Sequence, residues 1–122
     1  MDSSPHVLIQ TRLPTPLRVY LKAYAKQRGI SMEKSCEHIL TLFLQQQPWL
    51  QGLRWRIPLS NRTDAGEQYG WKQLNVVVGS ELAGRVDGMA KQLSLSRAAI
   101  VYSAFYWFAR YIAPVHTSQD IE

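Results

Sequence analysis

From Val7 to Leu13 the chain reads VLIQTRL, with Val7, Ile9, Thr11 and Leu13 on one side and Leu8, Gln10 and Arg12 on the other. This period of two predicts a half-buried strand whose two exceptions are Leu8 among the polar positions and Thr11 among the apolar ones. Pro14 ends it. Thr15-Pro16 then predicts a helix N-cap followed by proline at the first helical position, where the missing N–H costs nothing. Leu17, Leu21, Tyr24 and Ala25 follow at helical spacing, and Gly29 suits the left-handed residue that closes a helix. Ser31 is the expected cap of a second helix, with Cys36, Ile39, Leu40, Phe43 and Leu44 on its apolar side and Pro48 as its stop.

The same pattern returns 65 positions later. AKQRGIS at 25–31 recurs as AKQLSLS at 90–96. At that shift Leu74, Val76 and Val78 fall on Ile9, Thr11 and Leu13, while Gln73, Asn75 and Val77 fall on Leu8, Gln10 and Arg12. Ser80 takes the capping place of Thr15, and Leu82, Val86, Met89 and Ala90 land on Leu17, Leu21, Tyr24 and Ala25. Ser96 caps a last helix through Val101, Ala104, Phe105 and Phe108 that is expected to run to Pro114. Agreement of strand parity, caps and helical spacing at one shift identifies an internal repeat. The chain divides into an arm (1–6), a first strand–helix–helix unit (7–47), a linker (48–70), a second unit (71–113) and a tail (114–122). The linker has a polar turn cluster at Ser60 to Gly66, while Trp49, Leu53, Trp55 and Ile57 predict that its first part packs on the body.

One strand with two helices cannot stand alone, because the strand has two open edges and the second helix is apolar over too much of its surface. Two copies solve both problems. Their strands pair as an antiparallel ribbon and their helices interlock beneath it. The expected fold is therefore mainly α with a two-stranded antiparallel β-ribbon.

Composition narrows the function. With 46% hydrophobic and 19% charged residues the 122-residue chain is expected to fold as one globular domain rather than remain disordered. The net charge of +5 and a pI near 9.6 suit an acidic partner, nucleic acid or an anionic membrane. A lone cysteine, Cys36, is consistent with a reducing compartment, and Asp2 with no long apolar run argues against a signal peptide. The longest apolar stretch, Ala98 to Ala109, has 12 residues where a membrane span needs about 20, so it reads as a buried helix. No membrane association is expected.

The doubled unit resembles the ribbon-helix-helix family, whose Arc and MetJ members lay such a ribbon in the DNA major groove. Those members are dimers of one-unit chains. Two units in one chain form a tandem pseudo-dimer, similar to the TraY-type accessory proteins of plasmid transfer origins. The resemblance covers Val7 to Leu44 and Lys72 to Ala109. It implies a relaxosome accessory protein or transcriptional regulator in the bacterial cytoplasm, associated with nucleoid or plasmid, with duplex DNA as partner and a relaxase or other transfer protein beside it.

The chemistry of the outward residues agrees. A ribbon with its apolar side on the helices shows Leu8, Gln10, Arg12, Gln73, Asn75 and Val77 outward. Gln and Asn pair with adenine, Arg with guanine, and Leu or Val touch a thymine methyl. Because the two strands differ, the preferred site is expected to be directional. Free N–H groups and the dipole at the starts of the second helices make anion sites. Ser31 with Met32, and Ser96 with Arg97, are the predicted phosphate anchors, and their contacts on the two flanks are expected to be nearly symmetric. Enzymatic roles find no support: His6, His38 and His116 are scattered, Cys36 and His38 do not share a helix face, and no metal or cofactor motif is present. The last helix carries Tyr102, Phe105, Tyr106, Trp107, Phe108 and Tyr111, more rings than one buried stripe needs. Either the linker tryptophans cover the excess, or these rings form a self-association or partner-docking surface, as an antitoxin-like regulator would use.

Overall fold

A computed structural model describes residues 6–58 and 70–114. Most of the predicted arm, the Ser60–Gly66 cluster, and the tail beyond Pro114 with His116 lie outside these described residues. The elements are β1 (His6–Pro14), α1 (Thr15–Arg28), α2 (Met32–Gln46), a 3-10 turn (Pro48–Gln51), β2 (Trp71–Gly79), α3 (Ser80–Leu93) and α4 (Arg97–Trp107). The described residues are mostly helical with one two-stranded antiparallel sheet. Each element of the second half starts 65 positions after its counterpart: Trp71 after His6, Ser80 after Thr15 and Arg97 after Met32. Gly29 and Ser94, also 65 apart, both close their helices in the left-handed conformation, at φ 68° and 57°. Among the described residues no helix is long and apolar enough to cross a membrane.

Two predicted caps are corrected. Thr15 and Ser80 are the first residues of their helices, not N-caps; the cap positions are Pro14 and Gly79, with no side-chain cap bond. The reason is that each strand runs straight into its helix without a loop residue. The Thr15 hydroxyl instead donates to the Gly70 carbonyl. Gly70 has φ 75°, and a Cβ there would sit 2.7 Å from Thr15 Oγ1, so both backbone and space call for glycine.

The inner side of the ribbon is the roof of the core. Ile9, Leu13, Val76 and Val78 are at most 1% exposed, over Ile39, Leu40, Phe43, Ile100, Val101 and Phe105 of the second helices. Burying each such side chain contributes about 1.5–3 kcal/mol. The halves interlock: α4 packs on β1 and α2 on β2. Thr11, polar on the apolar side, is 2% exposed and donates to the Ala98 carbonyl at 2.8 Å, which satisfies its hydroxyl and ties β1 to the start of α4. At one end of the ribbon the Gly79 N–H donates to Glu37 Oε2 of α2 at 3.3 Å.

The last helix does not run unchanged to Pro114. After Trp107 it widens into a π-helical turn, Phe108–Ile112, ended by the Ala113 N–H donating to the Phe108 carbonyl. Its rings are used inside the molecule. Trp71 meets Tyr102 edge-on at 5.4 Å, Tyr24 meets Phe108 at 5.1 Å, and Phe43 gathers Trp49, Trp55 and Trp107 within 5.8 Å. Arg56 lies 3.9 Å over Tyr106, and its backbone N–H donates to Ser103 Oγ at 2.9 Å. So the linker's first part returns to cover the excess, apart from Ile57, which is 65% exposed against expectation. Of the six rings proposed for self-association only Tyr111 is largely exposed, because the others are sandwiched between α1, β2 and the linker.

Candidate nucleic-acid interface

Outside the core side, the ribbon presents three central rungs: Leu8 opposite Val77, Gln10 opposite Asn75, and Arg12 opposite Gln73. Period-two sequence makes this face, since anchoring Ile9, Thr11, Leu13, Leu74, Val76 and Val78 inward turns every alternate side chain out. Leu8, Gln10, Gln73 and Asn75 are exposed, while Arg12 and Val77 are half-buried. Gln73 Nε2 donates to Asn75 Oδ1 at 3.2 Å, leaving the Asn75 amide hydrogens for another acceptor. Arg12 is not free at the tip of the face. Its Nη2 donates to the Trp71 carbonyl at 2.9 Å, which holds the guanidinium across the ribbon end. Its Nε is buried without a partner. No acidic side chain projects from this face, so nothing in it opposes an anionic partner.

The two second helices begin alike. Ser31 and Ser96 are extended, and each hydroxyl accepts the N–H three residues on, from Lys34 and Ala99, at 3.0 Å. The first-turn N–H groups of Met32, Glu33, Arg97 and Ala98 have no intrahelical acceptor, and the dipole makes these ends positive. Their placement follows from the interlock. Met32 and Ile30 share a depression with Leu74 of β2, whereas Ala98 accepts from Thr11 of β1. Thr11 and Leu74 lie opposite each other in the sheet. The two helix starts therefore straddle the ribbon at one rung, on opposite edges.

The charged groups beside them differ. Arg97 Nε pairs with Asp87 Oδ1 of α3 at 3.4 Å, in a half-exposed contact. Beside Met32, α1 instead brings Arg18, Lys22 and Lys26 to the same depression. The sequence signal for this stripe is three bases at i, i+4 and i+8, a spacing that places them on one helix face.

Cys36 is buried, and its thiol is pushed up to about 12 by desolvation first and by Glu33 second, so it is a packing residue and a poor nucleophile. His38, two residues on, is exposed. Among the described residues no three His, Cys, Asp or Glu side chains gather as a metal ion would need. No protein-family model, no curated protein and no solved structure matches this chain.

Proposed function

We propose that this chain is a single-chain ribbon-helix-helix pseudo-dimer that binds duplex DNA sequence-specifically, with the β1–β2 ribbon in the major groove. The observation that carries the reading is the outward ribbon face: amide and guanidinium groups around the Gln10–Asn75 rung, no acid, and a capped helix start on either edge. A major groove about 12 Å wide admits a two-stranded ribbon. In that pose Gln10, Asn75 and Gln73 offer amides to adenine, Arg12 offers guanine a fork once its Nη2 exchanges the Trp71 carbonyl for the base, and Leu8 with Val77 offer an apolar surface to thymine methyls. Ser31–Met32 and Ser96–Arg97 then meet the flanking phosphates through backbone N–H groups. The biological setting we propose is that of a transfer-origin accessory protein or transcriptional regulator.

One observation favours a second reading, a protein-docking module. A depression of about 600 Å³ is lined by Leu44, Trp49, Leu50, Met89 and Leu93 among others, and Leu50 is 70% exposed. It lies apart from the ribbon rungs and is compatible with DNA binding. The proposal is tested by titrating a labelled duplex with the protein at low salt, with light scattering of the free protein alongside. A free monomer that binds duplex is expected. An obligate dimer, or no association with duplex, would reject it.

A further inference from the structure

The two flanks of the ribbon are unlike, and one of them carries more than a helix start. Arg18, Lys22 and Lys26 line a depression of about 280 Å³ together with Ala25, Ile30, Met32 and Leu74. Eight residues of α-helix cover about 12 Å. Duplex DNA presents one phosphate per strand every ~3.4 Å of axis, so a stripe of about 12 Å spans three to four phosphate steps of one strand. Among the described residues none of the three bases has a carboxylate partner, and Arg18 Nε is buried with no hydrogen bond at all. At the repeat-related positions the other flank has Ala83, Asp87 and Lys91, and Asp87 already engages Arg97. The repeat thus keeps the cap and changes the charge beside it.

We infer that the α1 stripe Arg18–Lys22–Lys26 is a second phosphate-binding track, continuous with the Ser31–Met32 helix start, so that duplex DNA is gripped more strongly on the first-unit flank. This rests on the proposed DNA binding. The stripe adjoins the ribbon at Leu74, the rung partner of Thr11, so a backbone lying along the β2 edge passes the helix start and the stripe together. Arg18 supplies a planar fork and the two lysines supply point charges, a combination suited to phosphodiester rather than to base edges. The Asp87–Arg97 pair leaves the opposite flank with its backbone N–H groups, Lys91 and a partly neutralised Arg97.

The test compares flanks in one protein. Arg18→Gln with Lys22→Gln and Lys26→Gln should make the slope of log K against log salt shallower by about 2–3 on a random-sequence duplex. The pair Lys91→Gln and Arg97→Gln should change it by about 1 at most, and Asp87→Asn should steepen it. Lys22→Gln with Lys26→Gln, both exposed, covers the case where losing the half-buried Arg18 disturbs folding, and should give a change of about 2. Hydroxyl-radical footprints should extend further on one side of the site and shrink there in the stripe variants. Equal losses at the two flanks, or a stripe variant with the wild-type slope, would overturn the inference while leaving DNA binding intact. Loss of binding to phosphatidylserine vesicles with duplex binding retained would assign the stripe to a membrane and overturn it too. Wild-type protein that binds no duplex would remove both this inference and the reading beneath it.

Discussion

Gln10 lies directly opposite Asn75 in the ribbon, and the two are also 65 positions apart, so each is paired with its own counterpart in the repeat. One rung of an antiparallel pair can have this property, and it marks the centre about which the register is symmetric. A slip of one residue would turn Ile9, Thr11 and Leu13 out of the core, so burial holds the rung in place. The rungs on either side are not alike. Leu8 with Val77 makes an apolar end, and Arg12 with Gln73 makes a hydrogen-bonding end. A symmetric backbone thus displays an asymmetric text.

Arg12 is expected to act at the hydrogen-bonding end. Arg12→Ala should cost about 1–3 kcal/mol on the preferred site and little on random duplex, measured by competition titration. Arg12→Lys should not restore the loss, because an ammonium lacks the planar fork that meets guanine O6 and N7. Equal loss on specific and random DNA would place Arg12 on a phosphate instead.

Thr11 should be a structural tie between the ribbon and one helix start. Thr11→Val keeps shape and removes the donor to the Ala98 carbonyl. Denaturant unfolding should show a loss of about 0.5–1.5 kcal/mol with an unchanged m-value.

Alkaline pH should weaken the fold in a defined direction. Cys36 is raised from 9.0 to about 12, chiefly by desolvation and then by Glu33, and Tyr20 from 10.0 to about 12 by desolvation, then Tyr24, against the opposing pull of Arg28. Both groups hold their protons longer when folded, so the folded state binds more protons above pH 9. Stability from these groups is whole below the unfolded values and is lost as pH rises from 9.0 toward about 12. The denaturation midpoint should fall across that range, and native Cys36 should resist alkylation until the chain unfolds. A midpoint flat with pH would contradict the burial of these groups.

The elements of this fold were legible because each half states them in two periods, 2 for the strand and 3.6 for the helices, and then repeats the statement. Ser31 and Ser96 were legible as caps because each stands just before an apolar pattern of helical spacing, at matching places in the repeat. What escaped depends on neighbours distant in sequence. Thr15 resembles a cap, but the strand runs through Pro14 and gives its hydroxyl to Gly70. The π-helical turn at Phe108 has no local marker. The ties of Arg12 to Trp71 and of Arg97 to Asp87 join separate elements, and the second of these makes the charge beside the two helix starts unlike. The α1 stripe stood in the sequence, yet three bases on a helix carry meaning only once Met32 and Leu74 are found beside them.

The most direct measurement is selection of binding sites from a pool of random duplexes, run with the wild-type chain and with Gln10→Ala, Arg12→Ala and Asn75→Ala combined. Enrichment of one directional site is expected, with guanine or adenine favoured under Arg12 and Gln73 and thymine under Leu8 and Val77, bound by a single chain. The combined variant should lose the enrichment and keep salt-sensitive binding to random duplex. Failure of the wild-type chain to enrich any sequence, or enrichment of the same site by the variant, would contradict reading by the ribbon.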